Sequence, residues 1–270
     1  MGYETVTLER EGPVAILTLN RPKRLNAMSK AMLIEMLAAC DEVEADETIR
    51  ALVVTGAGKA FTAGFDLQDQ AASPPVGVAE WRPVLRRDFD AVTRFWRLSK
   101  PTVAAVEGPA LAGGCELAMS CDLTIAGESA TFGEPELKFG AGIVAMILPW
   151  LVGPKKAKEI ILLGLDDVPA REALAMGMIT RVVADGAALE TAKGIARKLA
   201  VIDPMVVRRT KAAINETFDR MGMAAAMEAA LEADLALEGE GSVDKKAFLA
   251  ALREGGMKGA LAWRDKRFDV

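Results

Sequence analysis

The chain has 270 residues, 51% of them hydrophobic, and a formal net charge of -5 at pH 7. That length buries a sizeable core without disulfide or metal staples, and interspersed charges of both signs argue against a nucleic-acid or anionic-membrane surface. The sequence contains no histidine, which excludes Ser-His and Cys-His nucleophiles, HExxH metal centres and imidazole bases together, and leaves acid–base chemistry to carboxylates or perturbed Lys, Tyr or Cys.

Residues 3–10 and 13–19 read as paired strands joined at Glu11-Gly12, with Val6, Leu8, Val14, Ile16 and Leu19 facing a core. Ser29 is a good N-cap for a helix in which Met32, Leu33, Met36, Leu37, Cys40 and Val43 recur at three- and four-residue steps. Residues 51–55, 102–106 and 123–126 predict short buried strands, and the alternation predicts an α/β fold with partly parallel strands. Pro74-Pro75 and Gly77 predict a loop over 71–81.

From about residue 186 helical patterns take over: 186–200, a helix with Asp203 as N-cap and Pro204 in its first position, 223–237 and 243–253. The expected organisation is a core over 1–185 and a helical region over 186–270. The longest apolar run, 142–153, is broken by Pro149 and is shorter than the roughly 20 residues of a membrane span. Residues 1–10 lack an apolar signal core, and Cys40, Cys115 and Cys121 have no CxxC spacing. The reading is a soluble, reduced, cytoplasmic protein with no metal.

Three stretches can carry chemistry. Residues 56–67 run from a buried strand into a small-residue loop whose backbone can approach a ligand, or which is an ordinary strand-to-helix turn. It lacks the GK[ST] of a P-loop, and Phe61 stands where a dinucleotide fingerprint needs its third glycine. Residues 108–122 form a Gly-containing turn leading into a helix that starts near Gly113, where free N–H groups suit a developing negative charge. Glu116 lies in that helix's first turn, where a carboxylate is also stabilised without any function. In 132–140, Glu134 and Glu136 flank Pro135, which predicts side chains facing differently, in a site or a solvated loop. The GxGxxA-like run at 140–145 follows no apolar strand and is discounted.

Together and in this order, these stretches resemble the crotonase (enoyl-CoA hydratase/isomerase) family. The resemblance includes Leu19-Asn20-Arg21-Pro22-Lys23-Arg24-Leu25-Asn26-Ala27, Phe61 through Leu67, Lys100-Pro101-Thr102, Gly108 through Asp122, Thr131 through Glu136, and Ala175 through Ile179. It implies a spiral of ββα units with C-terminal helices that build trimers or dimers of trimers. It implies an oxyanion hole from the N–H groups of Phe65 and Gly113, with Glu116 and Glu136 as the catalytic carboxylates. Coenzyme A, part of the substrate and not a bound cofactor, is expected against Lys23, Arg24, Ala63, Phe65, Asp66, Leu67, Gln68 and Gly113, aided by Lys258, Lys266 or Arg267 of a neighbouring subunit. The implied reaction is hydration of a 2-enoyl-CoA to a 3-hydroxyacyl-CoA. The alternatives are isomerisation, which family members run with one carboxylate near position 136, a hydratase/lyase step on an aromatic enoyl-CoA, and a non-catalytic CoA-binding protein. Two departures stand out. Ala112 occupies a position where glycine is frequent, and 140–146 is bulkier and more apolar than the usual Pro-Gly-x-Gly-Gly.

Overall fold

In the computed structural model, which describes residues 2–268, β1 (Val6–Glu11) and β2 (Val14–Leu19) pair antiparallel across the Gly12 turn. Residues 1, 269 and 270, the outer ends of the two expected regions, lie outside the described residues. The remaining strands of this sheet, β3 (Ala51–Gly56), β4 (Thr102–Val106), β6 (Leu123–Gly127) and β9 (Arg181–Val183), are parallel, in the order β1-β2-β3-β4-β6-β9. A second sheet joins β5 (Pro109–Leu111), β7 (Thr131–Gly133) and β8 (Val168–Pro169). The α/β fold class is as expected.

The main sheet is buried on both faces, as near-continuous apolar strands require. Val14, Ile16, Ala51, Val53, Val103 and Ala105 pack under Ala188, Ala192 and Ala196 of α7 (Ala188–Val201). Ala15, Leu17, Leu19, Leu52 and Val54 face the larger core with α1 (Lys30–Ala45) and α3 (Gly77–Arg97). The single core expected for Val14, Ile16 and Leu19 is therefore two cores, because side chains alternate across a strand.

Ser29 caps α1, accepting from Met32 N–H at 3.3 Å. The loop expected over 71–81 shrinks to residues 73–76, because α2 (Leu67–Ala72) runs up to it and α3 starts at Gly77. Lys100, 1% exposed, donates to Val43 O and Asp46 O at the end of α1. Asp122 accepts from Thr102 N–H at 2.7 Å and pairs with Lys211 Nζ at 2.7 Å. The Lys-Pro-Thr stretch and Asp122 thus anchor the sheet, and Lys100 and Pro101 line only a small crevice beside Ile49 and Pro204.

After α4 (Gly113–Ser120), α5 (Leu148–Leu163) and α6 (Ala170–Ala175), the chain continues through α7 into α8 (Pro204–Arg220), α9 (Met223–Glu240) and α10 (Val243–Phe268). Helix α7 lies against the main sheet, so the helical region does not form a single separate body. Met223, Met227, Leu231 and Leu235 of α9 join the large core. Helix α10, kinked at Gly256, places Phe248 and Leu252 against Phe139 and Ala141. The apolar faces of both helices, in the region to which the resemblance assigns the trimer contacts, are covered largely by their own chain.

Candidate active site

The small-residue loop after β3 is held by a buried asparagine. Asn26, 0% exposed, donates through Nδ2 to Ala57 O at 2.9 Å and Ala60 O at 2.8 Å. Thr62 zips the loop to β5: its N–H donates to Pro109 O at 3.2 Å, and its O accepts from Leu111 N–H at 3.1 Å. Met28 N–H donates to Gly64 O and Asp66 N–H to Met28 O. Between those bonds, Phe65 N–H has no hydrogen-bond acceptor among the described residues.

The start of α4 supplies a second free donor. Ala112 N–H donates to Gly133 O at 2.8 Å, and Ala112 O accepts from Cys115 and Glu116 N–H at 2.7 and 3.1 Å. Gly113 N–H, the first of the helix, is likewise without an acceptor among the described residues, as helix starts leave such groups. The two segments lie against one another. A Cβ on Gly64 would stand 3.3 Å from Gly113 N, and one on Gly113 would stand 2.5 Å from the Phe65 ring. Glycine at both positions is what lets the two donors share one place.

The carboxylates converge beside this pair. Oxygens of Glu116, Glu134 and Glu136 lie within 4.8 Å of one another, and all three residues are buried. The expectation that Glu134 and Glu136 face differently is overturned. Pro135, at φ -82° and ψ 6°, makes a tight turn that brings both into one pocket. Glu116 Oε1 accepts from Ala145 N–H at 2.9 Å, whereas Glu116 Oε2, both Glu134 oxygens and Glu136 Oε2 have no hydrogen-bond partner among the described residues. Burial pushes all three acids up: Glu116 and Glu134 well above the ordinary range, each raised further by the charge of Glu136, and Glu136 to about 8. So close and dry a trio cannot ionise fully, and protons are shared among its members. The same spacing would suit a divalent cation.

A cavity of about 490 Å³ opens on the site. Lys23, Arg24, Ala63, Phe65, Asp66, Leu67, Gln68 and Glu136 all line it, as does Ala112 beside Gly113. Asp66 caps α2 and pairs with Arg21 at 2.8 Å, and Arg24 reaches Gln68. Glu116 is not among the lining residues; it sits one layer deeper with 0% exposure. Arg264 of α10 lines the cavity from the same chain, a residue the sequence reading passed over for Lys258, Lys266 and Arg267. Of those three, Arg267 is engaged with Asp244 at 2.9 Å.

Two backbone donors and a cluster of carboxyl groups at the end of a cavity with basic residues form, on a two-sheet α/β fold, a site with the groups needed to hold an anion and move protons. The family profile described as enoyl-CoA hydratase/isomerase matches residues 9–246, and the chain belongs to that family. It is 40% identical to the short-chain-enoyl-CoA hydratase of Clostridium acetobutylicum over 80% of this chain and 82% of the relative. It is 38% identical to the crotonyl-CoA hydratase of Syntrophomonas wolfei over 80% and 83%. A crystal structure of an enoyl-CoA hydratase/isomerase from Xanthobacter autotrophicus superimposes over 100% of both chains with a TM-score of 0.98 and 55% identity.

Proposed function

We propose that the protein is an enoyl-CoA hydratase, a hydro-lyase that adds water to a 2-enoyl-CoA. The observation that carries this is the convergence of two acceptor-free N–H groups, Phe65 and Gly113, with the buried pair Glu116 and Glu136. The N–H groups receive the thioester oxygen. Each such donor lowers a barrier by about 3 kcal/mol when it meets charge that appears only in the transition state. Burial raises Glu116 overall, so the base is the state of the carboxyl cluster in which Glu116 holds the negative charge, which the Ala145 N–H helps to stabilise. In that state Glu116 takes a proton from water as its oxygen bonds to Cβ. The electron pair of the double bond moves onto the thioester oxygen. Glu136, at the cavity wall and protonated at neutral pH, returns a proton to Cα as the enolate collapses. The proton left on Glu116 then restores Glu136 across the carboxyl cluster, so one water is added and no charge remains.

Lys23, Arg24 and Arg264 at the cavity favour the phosphates of coenzyme A, which enters and leaves as part of the substrate. The test is a screen of enoyl-CoA esters that follows loss of the conjugated thioester absorbance. Turnover that is absent from every ester, with binding intact, would overturn the reading in favour of a CoA-binding protein.

One observation favours a second reading. Glu136 lines the cavity and Glu116 does not, which would suit an isomerase that carries a proton between Cα and Cγ with one carboxylate. Incorporation of solvent oxygen separates the two.

Assembly into trimers or dimers of trimers is supported by α8 and its flanks, not by α9 and α10. Val201, Met205, Val206, Ile214 and Met221 are all exposed there. Sedimentation as a well-folded monomer at micromolar concentration would contradict it. Three buried free cysteines fit a reducing cytoplasm, and among the described residues no helix is long and apolar enough to cross a membrane.

A further inference from the structure

The cavity has a second polar wall that the proton-moving groups do not use. Helix α9 brings Asp234 and Glu238 to it, and α10 brings Lys245. Glu238 and Lys245 form a buried ion pair, and Lys245 Nζ stands 4.7 Å from the centroid of the Trp81 ring. Those two charges satisfy each other. Asp234 is different: it is 5% exposed, and its Oδ1 has no hydrogen-bond partner among the described residues. Gly142 hems it in, since a Cβ there would lie 2.1 Å from Oδ1. A buried acceptor left unpaired is costly, and an apolar side chain like Leu231 or Leu235 on the same helix would avoid that cost. Trp81, Phe139 and Phe248 give the same cavity apolar lining.

We propose that the acyl group carries a hydroxyl beyond its reacting double bond, and that Asp234 Oδ1 hydrogen-bonds that hydroxyl at the α9 wall of the cavity. This takes the acyl-thioester from the reading above and adds the identity of its acyl end. A hydroxyl fits for a specific reason. It donates to a carboxylate and accepts from a carboxylic acid, so it satisfies Asp234 in either state. Burial pushes Asp234 up to about 7, which makes both states relevant. A carboxylate on the substrate would meet the like charge of Asp234 itself whenever that group is ionised. A plain alkyl end would leave Oδ1 unpaired, and a site built to bond a hydroxyl discriminates against the analogue that lacks it.

Saturated esters test this without any turnover. Hexanoyl-CoA and octanoyl-CoA are compared by calorimetry with 6-hydroxyhexanoyl-CoA and 8-hydroxyoctanoyl-CoA, on the wild type and on Asp234→Ala and Asp234→Asn. At least one hydroxylated ester should bind the wild type about tenfold tighter than its parent, the scale of one buried hydrogen bond. Asp234→Ala should erase that advantage while parent affinity stays within about threefold. Asp234→Asn, which keeps an acceptor oxygen, should retain part of it. Equal affinity within both pairs, or a preference that survives in Asp234→Ala, overturns the proposal and leaves the thioester reading standing. Failure of all four esters to bind overturns both.

Discussion

Ala145 N–H donates to Glu116 Oε1 at 2.9 Å, while the other oxygen of the same carboxyl has no partner among the described residues. That bond ties the apolar 140–147 loop to α4 and fixes the carboxyl plane. A glutamine oxygen accepts the same N–H, so Glu116→Gln should fold with a melting temperature close to the wild type. It cannot take a proton from water, and hydration should fall by about 10²-fold or more with thioester binding preserved. Near-full activity in this variant would remove Glu116 from the mechanism.

Glu136 sits at about 8 against the 4.5 of an ordinary glutamate, and Asp234 at about 7 against 3.8. The folded chain therefore holds protons between these values that the unfolded chain releases. Stability is full below the unfolded values and falls as pH rises through the window, so the melting temperature should decline between about pH 5 and 8. Turnover should fall on an alkaline limb near pH 8, where Glu136 loses the proton it delivers. A melting temperature that rises over this range would contradict the raised values. Shared protons account for the three acids without a cation, so dialysis against a chelator should leave turnover unchanged.

A Cβ on Gly113 would stand 2.5 Å from the Phe65 ring, so the ring or its backbone must shift. Gly113→Ala is expected to displace Phe65, whose backbone offers one of the two donors. Turnover should drop by about 10²-fold, the scale of one lost oxyanion donor, with far-ultraviolet circular dichroism unchanged. Activity within a factor of two of wild type would argue against this donor pair.

Ala112 sits at φ 55° and ψ -135°, a backbone conformation that glycine adopts freely and alanine does not. Strain of this kind costs about 1–3 kcal/mol, against about 0.5–1 kcal/mol of extra chain entropy for glycine. Ala112→Gly should therefore stabilise the protein by about 1 kcal/mol, or ~2 °C in melting temperature. A loss of stability would show that the alanine methyl contributes more by packing than its backbone costs.

Much of this was legible in the sequence, for particular reasons. Ser29, Gly113 and the strand at 102–106 were readable because caps, tight turns and buried strands each have a local signature. The family resemblance placed Lys23, Arg24, Phe65, Gln68 and Glu136 together, and they line one cavity. Helix α3 was missed although Trp81, Leu85, Phe89, Val92 and Phe95 recur at helical steps, because Pro74-Pro75 and Gly77 read as loop as far as residue 81. Glu134 was misdirected because a proline between two acids says nothing about the turn it makes. Asp234 and Arg264 could not be found at all. They reach the cavity from helices more than ninety residues downstream of Glu136, and only folding brings them there.

The account rests most directly on the fate of solvent oxygen. Crotonyl-CoA turned over in ¹⁸O-labelled water should give 3-hydroxybutyryl-CoA carrying one labelled oxygen at Cβ, and Glu136→Gln should slow its appearance by about 10²-fold. A product that contains no label and has only shifted its double bond would contradict hydration and leave Glu136 as the single proton carrier of an isomerase.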